Sequence, residues 1–131
     1  MAVLVDTNVI ADILHGDANW GEWATQQLAQ HVGELFVNPI VYAELCYRAS
    51  AMDEVNQVLE TLGLRYAELP RSALFLAARA YSAYRQRGGI KTAPLPDFFI
   101  GAHAQSAGCK LLTRDKSRYA TYFPQVALIC P

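Results

Sequence analysis

The sequence predicts a single α/β domain with a mainly parallel central sheet flanked by helices, and three observations predict it. Short apolar runs alternate with segments of helical period, the order in which strands and crossover helices build a parallel sheet. The 131 residues are 53% hydrophobic and 18% charged, which is enough apolar side chain for a core and too short a chain for two ordinary domains. No repeat, low-complexity stretch or linker divides the chain.

The elements follow in order. Ala2 to Val5 is an apolar run ending at Asp6 and reads as a buried strand. Thr7 to Leu14 reads as a helix closed by His15 and Gly16. Trp20, Trp23, Ala24 and Gln27 recur at helical spacing; base stacking is one reading of the two tryptophans, a core stripe the plainer one. Leu35 to Val37 is the next strand. Pro39 suits the first turn of the helix that follows, because its missing N–H has no intrahelical partner there, and that helix is expected to reach about Ala49. Val55, Val58, Leu59 and Leu62 form one apolar stripe, with Gly63 as the stop. Leu64 to Leu69 is a candidate strand. Leu74, Ala77, Ala78 and Tyr81 repeat the helical pattern until Gly88-Gly89. Phe98 to Ala107 reads as a helix ended by Gly108, and Lys110 to Thr113 and Val126 to Ile129 read as the last two strands.

Composition excludes several classes. No apolar run approaches the roughly 20 residues of a membrane-spanning helix, and the first residues lack the pattern of a secretory signal, so a soluble cytoplasmic protein is expected. Cys46, Cys109 and Cys130 match neither a zinc spacing nor an even disulfide set and are expected to be reduced, small buried side chains. The net charge of −1 argues against a nucleic-acid protein until the charges are located. Residues 1–84 hold ten acids and four bases, whereas residues 85–118 hold seven bases (Arg85, Arg87, Lys91, Lys110, Arg114, Lys116, Arg118) and only Asp97 and Asp115 as acids. A basic stretch of this kind is either a solvated face or a surface for phosphate.

Four acids stand out. Asp6 follows the first strand and Asp115 follows Lys110 to Thr113, so both fall beyond strand carboxyl ends, where open α/β sheets bind ligands. Asp97 comes directly after Pro96, near a helix start. Glu44 interrupts an apolar stretch, where a charge is costly unless paired or bound to a metal. Each has a plain alternative: Asp6 and Asp97 as helix caps, Glu44 as the i, i+4 partner of Arg48, and Asp115 as a turn residue. Spacing alone does not bring the four together.

The motifs do so through a resemblance. Leu4-Val5-Asp6-Thr7-Asn8-Val9-Ile10 resembles the opening motif of PIN domains, and Pro39 to Leu45 resembles their second motif, a helix bearing Glu. Leu95-Pro96-Asp97-Phe98-Phe99-Ile100-Gly101-Ala102-His103-Ala104 resembles the third motif and Gly108-Cys109-Lys110-Leu111-Leu112-Thr113-Arg114-Asp115 the fourth. Within the family the chain is similar to VapC-like toxins, in its compact length and in Thr113-Arg114-Asp115 followed by Tyr119. It departs in two places: Ser or Thr is common near Pro39, and small residues are common where Phe98 and Phe99 stand. None of the four acids is missing.

The resemblance implies one PIN-like nuclease domain over residues 1–131 that hydrolyses RNA with Mg²⁺ or Mn²⁺. Asp6 and Asp97 would be the primary metal ligands, with Glu44 and Asp115 completing the cage. Thr7, Asn8 and Thr113 would orient them, each being equally readable as a cap or turn residue. Arg114 and Lys116 are the candidates for phosphate contact, against a reading as solvated surface. Four clustered carboxylates are expected to have raised pKa values and to favour a hard, oxygen-binding cation over zinc. His103 lies six residues beyond Asp97, which at about 100° per residue turns it away, so packing is expected of it rather than ligation. The resemblance also implies a VapB-like antitoxin and a homodimer. Apolar stripes on Val41 to Ala49 and Val55 to Leu62 would form a groove for the antitoxin or belong to the core. Competing readings are a housekeeping RNA-processing nuclease, a non-catalytic RNA- or protein-binding module, and a phosphotransfer domain with an Asp at a strand end.

Overall fold

A computed structural model of the protein describes residues 1–89 and 95–131. Lys91, one of the seven bases of the basic stretch, lies outside the described residues. The elements run β1 (Val3–Val5), α1 (Thr7–Leu14), α2 (Gly21–Gln30), β2 (Leu35–Val37), α3 (Pro39–Cys46) and α4 (Met52–Leu62). They continue with β3 (Arg65–Tyr66), α5 (Arg71–Gln86), α6 (Leu95–Ala107), β4 (Lys110–Leu112), α7 (Lys116–Ala120) and β5 (Leu128–Ile129).

Among the described residues the strands form one sheet in the order β3-β2-β1-β4-β5, and every pairing is parallel. The middle strand β1 pairs Val3, Leu4 and Val5 with Lys110, Leu111 and Leu112 of β4. All three β1 residues are buried, as are all three of β2, because helices cover both faces of the sheet. Each fully buried Val or Leu contributes about 1.5–3 kcal/mol relative to exposure. The chain leaves β1 toward β2 on one side and returns to β4 on the other, so the crevice beyond the carboxyl ends of β1 and β4 is the topological switch point.

The expected class is the observed one, and the differences lie at element ends. The helix expected to reach Ala49 stops at Cys46; Tyr47 and Arg48 beyond it are exposed, with no apolar anchor to continue the buried face. The expected strand Leu64 to Leu69 shrinks to two ladder residues. Leu64 is held by Leu59 O in the closing turn of α4, where Gly63 adopts the left-handed conformation (φ 69°). Val126 belongs to a turn bonded to Phe123 O, so β5 begins only at Leu128. A short helix, α7, occupies residues to which the sequence reading assigns no element. Cys109 is buried as expected, whereas Cys46 and Cys130 are half-buried; all three are free thiols.

Candidate active site

Backbone direction sets the first acid. Asp6 is the N-cap of α1: its extended backbone ends β1, and its Oδ1 accepts from Thr7 N at 2.7 Å. The cap reading and the site reading therefore describe the same residue. Its other oxygen, Oδ2, accepts from Thr113 Oγ1 at 2.8 Å and from Tyr119 Oη at 2.8 Å. Burial raises the Asp6 pKa above its ordinary value, against the lowering effect of the Tyr119, Thr113 and Thr7 donors.

The other acids join this centre through shared donors. Asn8 Nδ2 lies 3.0 Å from Asp115 Oδ2 and 3.4 Å from Asp6 Oδ2, while Asn8 Oδ1 accepts from Arg114 N at 3.2 Å. Thr113 Oγ1 accepts in turn from Asp115 N at 3.1 Å, which fixes the turn between β4 and α7. Thr7 Oγ1 donates to Glu44 Oε1 at 2.6 Å and so ties α1 to α3. Tyr119 Oη is 3.5 Å from Asp97 Oδ1, and Arg118 spans Asp97 Oδ2 (3.3 Å, through Nη1) and Asp115 Oδ2 (3.4 Å, through Nε). One continuous network thus holds Asp6, Glu44, Asp97 and Asp115 at the carboxyl edge of the sheet, with Thr7, Asn8 and Thr113 connecting Asp6, Glu44 and Asp115, and Tyr119 and Arg118 bringing in Asp97.

Asp97 is raised to about 6. Burial is the largest cause; Arg118 opposes it, and the charges of Asp6, Glu44 and Asp115 add to it. Mutual repulsion, the cause expected from sequence, is thus real but secondary to desolvation. Two other expectations about Glu44 need correction. It is exposed at the cleft rather than buried in an apolar setting, and Thr7, not Arg48, is the partner that the structure gives it.

Arg114 and Lys116, the two expected phosphate contacts, are not alike. The Arg114 guanidinium is forked onto Asp12, with Nε 2.8 Å from Oδ2 and Nη2 3.2 Å from Oδ1, and Asp12 is only 7% exposed. Lys116 is exposed at the start of α7. The basic stretch is accordingly not one surface: Lys110 begins β4 at the opposite edge of the sheet, and Arg87 lies over the Tyr122 ring. His103 packs as expected. It is buried, and its Nδ1 accepts from the amide of Asn38, the residue that caps α3 through Val41 N. Trp23 packs against the core, in line with the stripe reading.

Sequence reasoning missed Asp12, Arg118 and Tyr119. Asp12 had a signal, standing four residues after Asn8 on the same face of α1. In the sequence Arg118 counts only among the bases and Tyr119 only as an aromatic following the fourth motif; no element is assigned to residues 116–120, and it is helix α7 that returns both to the acids.

Beside the acids lies a cleft of about 650 Å³ between α1, α3 and α4, lined by Thr7, Asp12, Glu44 and Arg114 and by the apolar Leu45, Val55 and Val58. The stripe of α4 divides: Leu59 is in the core, whereas Val55, buried, and Val58, half-buried, line the cleft. Among the described residues no helix is long and apolar enough to cross a membrane.

Comparison with known proteins bears on what this arrangement is. Among curated proteins none matches the chain significantly. Similar solved structures include DNA-bound VapBC from Salmonella typhimurium (TM-score 0.76, 17% identity, 99% of this chain and 98% of that one). Another is VapBC2 from Rickettsia felis bound to a DNA fragment from their promoter (0.72, 18%, 99% and 98%). A third is FitAcB from Neisseria gonorrhoeae (0.70, 23%, 97% and 96%). At these identities the likeness is one of fold. The PIN domain family model matches residues 3–124, nearly the whole chain, and the chain belongs to the PIN domain family.

Proposed function

We propose that the protein is a metal-dependent endoribonuclease and the toxin of a toxin-antitoxin pair, with Asp6, Glu44, Asp97 and Asp115 as its metal-holding acids. The observation that carries this reading is the single network joining the four carboxylates at the switch point of the sheet. The donor set fits the implied ion: it is all oxygen, which suits Mg²⁺ or Mn²⁺, and the raised Asp97 marks a site where added positive charge relieves strain. As placed, no group of three or more His, Cys, Asp or Glu side chains among the described residues stands ready to hold a metal. Protein donors occupy the carboxylate oxygens instead, Arg118 among them.

A bound Mg²⁺ or Mn²⁺ would supply a water of lowered pKa and positive charge at the scissile phosphate. The chain's own residues do the rest. Asp6 and Asp97 are the primary ligands in this reading, and Glu44 and Asp115 complete the set directly or through water. Thr113 and Tyr119 hold Asp6 by its Oδ2; burial raises the Tyr119 pKa above its ordinary value, so the phenol is protonated, and therefore a donor, at neutral pH. Asn8 holds Asp115, and Thr7 holds Glu44. Lys116, exposed and without an ion pair among the described residues, is a candidate contact for RNA phosphate, while Arg114 secures the loop through Asp12. The cytoplasm is the compartment this reading requires.

The antitoxin is proposed to lay a segment in the cleft between α1, α3 and α4, whose apolar wall (Leu45, Val55, Val58) borders Glu44 and Thr7. A homodimer is proposed as well; exposed Leu74 and Phe75 near the start of α5 give it apolar side chains. The test is cleavage of RNA by the purified protein and by Asp6→Asn and Asp97→Asn. Wild type should cut, and both variants should lose at least about two orders of magnitude in rate, the scale set by loss of an electrostatic group, while retaining the wild-type circular dichroism spectrum. Folded variants that cut at the wild-type rate would refute the assignment.

A further inference from the structure

Two arginines four residues apart meet the acids of this site in different ways. Arg114 makes a fork of two hydrogen bonds to a nearly buried partner, Asp12. Arg118 makes single contacts of 3.3 and 3.4 Å to Asp97 and Asp115, with half of its side chain (51%) exposed. Charge-assisted N–H···O bonds of full strength are about 2.7–2.9 Å long. Arg114 is locked, whereas Arg118 is loosely held between two carboxylates.

We propose that Arg118 serves two anions in turn: it bridges Asp97 and Asp115 while no divalent ion is bound, and it grips the scissile phosphate of RNA once the ion has taken those carboxylates. The inference rests on the metal-dependent reading above and goes beyond it by assigning a contact to the substrate.

Three observations carry it. First, the guanidinium lies against Asp97 Oδ2 and Asp115 Oδ2, oxygens of two of the four acids assigned to the ion. The ion and Arg118 therefore compete. Second, Arg118 can be released without stranding a charge: its own side chain is half exposed, and the ion that displaces it supplies the positive charge that the nearly buried Asp97 carboxylate would otherwise lose. Third, α7 anchors the released side chain beside the site: Tyr119, the next residue, is fully buried and hydrogen-bonded to Asp6. A phosphodiester approaching four carboxylates meets repulsion that one divalent ion only partly cancels. A planar guanidinium at the rim supplies the missing charge and fits two phosphate oxygens at once, a geometry that an ammonium lacks.

The experiment compares wild type, Arg118→Ala and Arg118→Lys in two assays: calorimetric titration of the metal-free proteins with Mn²⁺, and RNA cleavage at saturating Mn²⁺. Arg118→Ala should bind Mn²⁺ several-fold more tightly, because the competing cation is gone, and yet lose about tenfold or more in kcat/KM for RNA. Arg118→Lys should retain near-wild-type Mn²⁺ affinity and recover only part of the cleavage. Thermal melting confirms that the variants are folded, as the exposure of the side chain leads one to expect. If Arg118→Ala binds Mn²⁺ no more tightly than wild type, or cuts RNA as well as wild type, the two-anion role is overturned and the metal site stands. If wild type binds no Mn²⁺ and cuts nothing, the metal-dependent reading fails and takes this inference with it.

Discussion

Asp97 is where function and stability conflict. Its pKa in the folded protein, about 6, lies above the ordinary 3.8, so the fold holds that proton more tightly than the unfolded chain does. Its contribution to stability is therefore fully present below about pH 3.8 and is lost as pH rises through about 6. Asp97→Asn, which never ionises, should melt a few degrees above wild type at and above about pH 7 without metal, and this advantage should shrink toward about pH 4. Thermal denaturation across that range checks it; a variant less stable than wild type at neutral pH would contradict the sign. The same proton competes with the cation, so Mn²⁺ affinity should fall about tenfold per pH unit below about 6. Of the residues that set this balance, Asp97 and Asp6 are visible in the sequence, because each sits beside a boundary signal: Pro96 in one case, the end of an apolar run in the other. The Tyr119 hydroxyl and the Arg118 guanidinium are not visible, because their roles depend on contacts with residues about 20 and more than 110 positions away.

Elements with strong periodicity or clear punctuation were readable. Helix α1 runs from Thr7 to Leu14 as its cap and following Gly16 indicate, and β2 spans the predicted Leu35–Val37. The shortest elements were not. β3 and β5 are two residues each, and α7 is five residues held by Tyr119 and Phe123 in the core, a tertiary cause that local propensity does not contain. Phe98, where the resemblance to PIN domains leads one to expect a small residue, is explained at this scale: it packs against Tyr81, Tyr84, Tyr122 and Phe123, an aromatic cluster joining α5 and α6 to the segment after α7. Gly101 makes room for that cluster. A Cβ there would lie 2.4 Å from the Phe123 ring, itself only 2% exposed. Gly101→Ala should therefore cost about 1–3 kcal/mol, the usual range for overpacking a core. A urea midpoint equal to wild type would show that Phe123 can move aside. Val58, on the cleft side of α4, tests the proposed antitoxin contact. Val58→Lys should leave cleavage intact and weaken binding of a co-expressed antitoxin by tenfold or more, the scale of a buried apolar contact replaced by charge; unchanged co-purification would remove the cleft from that role.

For the whole molecule, parallel topology does what spacing in the sequence could not. Acids at positions 6, 44, 97 and 115 meet because β1 and β4 are neighbours whose carboxyl ends open at one crevice, with α3 and α6 delivering the other two to the same edge. The four motifs in order were legible through their resemblance to PIN domains; their convergence needed the fold. Net charge was a poor guide for the same reason, since the basic stretch is distributed between opposite edges of the sheet and partly neutralised by Asp12, Asp97 and Asp115. The central claim is that this convergence is a metal site for cutting RNA. Its most direct test is cleavage of an end-labelled RNA by purified wild-type protein in excess chelator and again after Mn²⁺ or Mg²⁺ is restored. The account predicts no cutting in chelator and recovery with either ion; cutting that proceeds undiminished in chelator would contradict it.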